Sequence, residues 1–256
     1  MSTSQTIGAP EEATPATMPN KRVILTMGGK GGVGKTTFML SLAEWLGNQG
    51  MAFQMLDLDV ENKARGSLKH YFEGAATKVN IHTPAGLDAF IDALDQGPKI
   101  ILADMGAGSG QVAHEWFDTM YEAAEELGIG FTAIGIVTAD PASVESVLSW
   151  AKALQHKVQY VVVLNEAVQH ADFTYWDKTE QAEQFRRIFK PVIIRMKNRL
   201  ADLENPARQH GATLGEVATR RANVPELAKS SLVARAQGYQ KQIFQELDQN
   251  RELFLV

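Results

Sequence analysis

Residues 23–37 read VILTMGGKGGVGKTT. The apolar run Val23–Met27 has the composition of a buried strand, and the glycines after it end that strand abruptly. Gly29, Gly34, Lys35 and Thr36 occupy the fixed positions of the phosphate-binding pattern G-x-x-x-x-G-K-[ST]. Such a loop can turn its backbone N–H groups inward around a phosphate. A helix beginning at its end aims its positive dipole at the same place. The candidate nucleotide-binding residues are therefore Gly29, Lys30, Gly31, Gly32, Val33, Gly34, Lys35, Thr36 and Thr37. Lys35 would reach the β- and γ-phosphates, the Thr36 hydroxyl would ligate magnesium, and Thr37 would add a hydroxyl to the α-phosphate. The pattern does not require a lysine at the start of the loop, yet Lys30 stands there.

Outward from the loop, strand-like and helix-like segments alternate. Thr36–Asn48 reads as a helix with Phe38, Leu42, Trp45 and Leu46 on one face, ended by Gly50. Strands are expected at Ala52–Leu58, Lys99–Asp104, Phe131–Thr138 and Val158–Leu164, with helices at Gly86–Asp95, Gln111–Leu127 and Pro141–Gln155 between them. Near-continuous apolar strands separated by helices predict an α/β fold: a doubly wound, mostly parallel sheet with helices on both faces. Ligand chemistry is then expected at the carboxyl ends of the strands.

Two acidic positions belong to that expectation. Asp104 closes the apolar run KIILAD and is placed to support magnesium, with the alternative that it caps the following helix. Asp57 and Asp59 close FQMLDLD, where period-two alternation points both carboxylates the same way. One would polarise the attacking water and the other would support the magnesium shell. Turn or capping carboxylates are the alternative.

The 256 residues suffice for one large domain, and 45% apolar with 21% charged content is ordinary for a globular protein. The absence of cysteine excludes disulfides, thiolate zinc sites and cysteine-held iron–sulfur clusters. No apolar run approaches the roughly 18–20 residues of a membrane-spanning helix. Residues 1–20 read as a disordered tail without the features of a secretion signal, and residues 21–256 as a single domain, so a cytoplasmic protein is expected.

With these residues in view, KGGVGKTT and its leading lysine resemble the deviant phosphate loop of the ParA/MinD family of ATPases. LDLD resembles the family's switch segment, IILADMGAG its second acidic strand, and TADPASVESVLSWAKAL its later threonine–helix element. VVVLNEA resembles the strand that ends in an adenine-contacting asparagine. The resemblance covers roughly residues 21–200 and implies an ATP-dependent homodimer. It implies that Lys30 crosses to the partner's nucleotide while Lys35 and Thr36 act in cis. Asp59 would position the water, Asp104 would support magnesium, and Asn165 would contact adenine. Two departures bear on the switch geometry. The chain continues as Asp59-Val60-Glu61-Asn62, where partition members often have aspartate–proline–glutamine, and Met105-Gly106-Ala107-Gly108 replaces the usual proline-containing turn. The missing cysteines set aside the iron–sulfur relatives.

Charge divides along the chain. Residues 181–235 hold eleven Lys or Arg against five Asp or Glu, although the whole chain carries −5. A ParA-like reading makes this stretch, with Arg186, Arg187, Lys190, Arg195, Lys197, Arg199, Arg220 and Arg221, a non-specific DNA-binding surface, near the nucleoid, whose hydrolysis a partner adaptor stimulates. Basic residues covering solvated helices are the alternative. A MinD-like reading assigns the C-terminal helix to a membrane. The charges of residues 234–256 are balanced, so a helix packed on the domain's own core is expected instead. A small-molecule synthetase or kinase of the same fold, or a scaffold that uses ATP only to dimerise, are further readings.

Overall fold

The structure, a computed structural model, describes residues 19–59, 67–106 and 110–256. The Val60, Glu61 and Asn62 departure, the Ala107 and Gly108 turn and most of the N-terminal tail lie outside the described residues. The first half contains β1 (Lys21–Met27), α1 (Lys35–Asn48), β2 (Phe53–Leu58), α2 (Leu68–Tyr71), β3 (Ala76–Lys78), α3 (Pro84–Gln96), β4 (Ile100–Met105) and α4 (Gly110–Glu126). The second half contains β5 (Ile129–Val137), α5 (Pro141–Leu154), β6 (Gln159–Asn165), α6 (Thr174–Lys178), α7 (Glu180–Phe189), β7 (Val192–Met196), α8 (Ala201–His210), α9 (Leu214–Ala218) and α10 (Ser230–Gln249).

The strands form one seven-stranded sheet in the order β3-β2-β4-β1-β5-β6-β7, and every pairing is parallel. The doubly wound α/β expectation is met, because the central strands are apolar on both faces and the crossovers supply helices to cover them. Period-two alternation divides the core. Val23, Leu25 and Met27 face the layer of α3, α4 and α5, whereas Ile24 faces α1 and α10. A smaller cluster joins α8, α9 and the first half of α10 through Leu203, Val217, Leu227 and Val233.

β1 sits at the centre, between β4 and β5, so the loop after it emerges over the middle of the sheet. The register sets Asp57 on β2 directly beside Asp104 on β4. On α10, Tyr239, Ile243 and Leu247 are buried against α1, and the helix packs on the core as expected. No described helix is long and apolar enough to cross a membrane.

Candidate functional site

The glycine-rich loop joins β1 to α1 at the carboxyl edge of the sheet. Gly29, Lys30, Gly31 and Gly32 are exposed on its rim, Val33 is buried, and Thr36 and Thr37 are half-buried. Gly34 is the N-cap of α1 at φ 104°, and no side chain caps the helix. No acidic residue occupies its first turn. The first-turn N–H groups and the positive end of the dipole are thus left for an anion. A side chain at Gly34 would combine a disfavoured backbone region with a Cβ 2.6 Å from Asn165 Nδ2.

That contact locates Asn165. It is 2% exposed at the end of β6, and its Nδ2 donates to the Val33 carbonyl at 2.7 Å. Its Oδ1 is buried with no partner among the described residues, which leaves an acceptor that suits an amino-bearing base.

Beneath the loop lie three buried carboxylates, Asp57, Asp59 and Asp104, at 0%, 9% and 1% exposure. Asp104 Oδ2 accepts from the Thr36 hydroxyl at 2.6 Å, and Oδ1 accepts from the Thr26 hydroxyl at 3.1 Å. Burial pushes the Asp104 carboxyl up to about 7; Asp57 adds to this, while Thr36, Thr26 and Lys35 oppose it. Asp57 accepts from the backbone N–H of Asp59 and of Lys69, both at 3.2 Å, so it braces the segment that carries Asp59. The Asp59 carboxylate lies against the end of β4, where a Cβ on Gly106 would approach its Oδ1 to 2.8 Å. Among the described residues, no group of three or more acidic or histidine side chains gathers to hold a metal. The Thr36 hydroxyl and the Asp104 carboxylate, 2.6 Å apart, are hard oxygen donors that suit a magnesium ion completed by water and phosphate. The ion's charge would offset the burial that raises Asp104. Thr36 and Asp104 would hold it most directly, with Asp57 behind them.

The two loop lysines behave differently. Lys35 is 8% exposed and donates from Nζ to the Lys30 carbonyl at 2.9 Å. Lys30 points away from the loop and pairs with Asp140 at 3.0 Å, both side chains being more than 40% exposed. Asp140 also caps α5 by accepting from the Ala142 N–H at 2.9 Å. Ser146, one turn into that helix, accepts from the N–H groups of Gly29 and Lys30.

Reading the sequence missed Thr26, Asp140 and Ser146. A threonine inside VILTM was a visible signal, since a hydroxyl in a buried strand needs a partner. Asp140 was legible as a helix cap but not as a partner of Lys30.

Part of the predicted basic stretch makes contacts within the fold. Arg199 is buried, pairs with Glu204 at 3.3 Å and stacks 5.6 Å from the Tyr239 ring centroid. Arg186 covers Trp176 and donates to the Trp176 and Asp177 carbonyls. Arg195 pairs with Glu166, Arg220 donates to the Ala228 carbonyl, and Arg221 donates to the Thr219 hydroxyl. Arg187, Lys190 and Lys197 are exposed, as are Arg195, Arg220 and Arg221 despite these contacts. Of the eight named residues, Arg199 is withdrawn from the surface and Arg186 partly so, and the other six remain exposed.

A central strand, a glycine-rich loop and an uncapped helix above buried carboxylates define a P-loop nucleotide-binding protein. The family described as the CobQ/CobB/MinD/ParA nucleotide binding domain matches residues 24–247, and the chain belongs to it. No curated protein sequence matches the chain significantly. Among solved structures it is similar to the MinC:MinD cell division protein complex of Aquifex aeolicus, at 15% identity. That alignment covers 85% of this chain and 95% of the other, with a TM-score of 0.45. It is also similar to the MinD cell division protein of Aquifex aeolicus, at 16% identity over 85% and 96% of the two chains, with a TM-score of 0.44.

Proposed function

We propose that this protein is a magnesium-dependent ATPase that forms a homodimer around ATP and serves as a positioning or segregation switch. The observation that carries the reading is the division of labour between two lysines on one loop. Lys35 lies buried in the cis site, while Lys30 stands exposed on the rim with its ammonium paired outside that site, to Asp140.

In this reading Lys35 leaves the Lys30 carbonyl for the β- and γ-phosphates, and the N–H groups of the loop surround them. The Thr36 hydroxyl turns from Asp104 to the metal, and Asp104 supports the metal's shell. Magnesium, when bound, neutralises phosphate charge. Asp59 orients the attacking water, and Asn165 offers its free Oδ1 to adenine. Lys30 of a second copy supplies a cation to the transferring phosphoryl group, which couples hydrolysis to assembly. Non-specific DNA is the proposed matrix, held through the exposed part of the basic stretch, and an adaptor protein stimulates release. The membrane reading is less favoured because the apolar face of α10 is buried in the core.

Lys30→Ala should abolish ATP-induced dimerisation, read by sedimentation, while the monomer still binds nucleotide. A tight, hydrolysing dimer of that variant would remove the cross-interface role. Asp59→Ala should trap the ATP-bound dimer, and unchanged turnover would exclude Asp59 as the water-positioning group.

A further inference from the structure

Every polar group of Lys30 is engaged, and helix α5 supplies two of the three partners. The Lys30 N–H donates to Ser146 Oγ at 3.2 Å, its carbonyl accepts from Lys35 Nζ at 2.9 Å, and its ammonium pairs with Asp140 Oδ2 at 3.0 Å. Ser146 Oγ also accepts from the Gly29 N–H, so one hydroxyl oxygen gathers two consecutive amides. Gly28, at φ 100°, brings the chain close enough that a Cβ there would lie 3.3 Å from the same oxygen. The leading half of the loop thus rests on α5, while the trailing half rests on β6 through Asn165 and Val33.

We propose that α5 is the mount for Lys30: Ser146 fixes its backbone, and Asp140 holds its ammonium until a second nucleotide-bearing copy takes it. The proposal rests on the cross-interface role of Lys30 given above. Ser146 is a positioning residue; it acts on the reaction through the backbone of Gly29 and Lys30.

The energetics suit a release mechanism. Between groups exposed by 43% and 48%, an ion pair is a weak hold, a preference on the order of fivefold or less. A phosphoryl group gathering negative charge in a water-excluded interface is a stronger partner for the same ammonium. Asp140 therefore biases Lys30 without locking it. Asp140 also caps α5, so the two duties must be separated in any test. Asparagine is an equally good cap but carries no charge.

The experiment measures ATP affinity, basal turnover and dimerisation with a non-hydrolysable ATP analogue, using the full chain. Ser146→Ala should leave ATP affinity within about twofold while turnover falls by about tenfold, and analogue-driven dimerisation should fall with it because Lys30 is no longer placed to cross. Ser146→Thr restores the hydroxyl and should restore both. Asp140→Asn should raise the dimer population by up to about fivefold per pair released. Ser146→Ala with wild-type turnover, or a Ser146→Thr variant as impaired as the alanine variant, overturns the positioning role. A dimer population unchanged in Asp140→Asn overturns the holding role. Thermal melting of each variant separates these results from loss of fold. Lys30→Ala run in parallel separates the two readings: if that variant dimerises, the cross-interface role fails, and if it does not while Ser146→Ala is normal, only the mount fails.

Discussion

Asp104 is the residue at which burial and charge conflict most openly. An aspartate in the unfolded chain titrates near its ordinary value of 3.8, whereas burial lifts this one to about 7 in the fold. Between those values the folded state holds a proton that the unfolded state has lost, so the contribution of Asp104 to stability is present at low pH. It declines as pH rises towards the folded value. Asp104→Asn keeps the shape and removes the charge. In magnesium-free buffer its melting temperature should lie closest to wild type below about pH 4 and exceed it by a margin that grows up to about pH 7 and is constant above. An offset independent of pH would exclude a buried, uncompensated carboxylate. The position of Asp104 was legible because it closes an apolar run. That the Thr26 and Thr36 hydroxyls would each bind one of its oxygens was not, since these contacts join residues 78 and 68 positions apart.

At the scale of elements, long apolar runs located the central strands and their helices to within a residue or two at most ends. β3 has three residues and β7 is a five-residue edge strand that alternates between buried and exposed, so neither carried a continuous apolar signal. The C-terminal helix shows how packing decides between two readings of one pattern. Its apolar stripe would suit a lipid surface, but α10 lays it against α1, with Tyr239 and Ser41 joined at 2.9 Å and Trp45 Nε1 donating to Asp248 at 2.8 Å. Leu247→Ala, at a fully buried position, should therefore cost about 2–5 kcal/mol in a denaturant melt. A loss under 1 kcal/mol, or tight binding of the wild-type chain to anionic vesicles, would show that the stripe is not core.

For the whole molecule, the sequence divides charge into an acidic majority and a basic stretch, and the fold keeps most of that stretch exposed while burying Arg199 and half-burying Arg186. If DNA is the matrix, wild-type retention on random duplex with ATP should decline between about 50 and 200 mM salt. The combined Arg187→Glu, Lys190→Glu and Lys197→Glu variant should lose retention at the lower salt. No wild-type retention there removes DNA from the reading, and retention by the triple variant moves the contact surface elsewhere. The sequence alone determined the α/β alternation, the phosphate loop and the acidic ends of β2 and β4, because these follow from local periodicity and fixed spacing. Tertiary structure alone decided which partner each polar group meets. It set Asp57 beside Asp104, Asn165 under Gly34, and α5 under Lys30, residues separated by up to 131 positions in the chain. Such contacts are fixed by strand order and register, which no local pattern encodes.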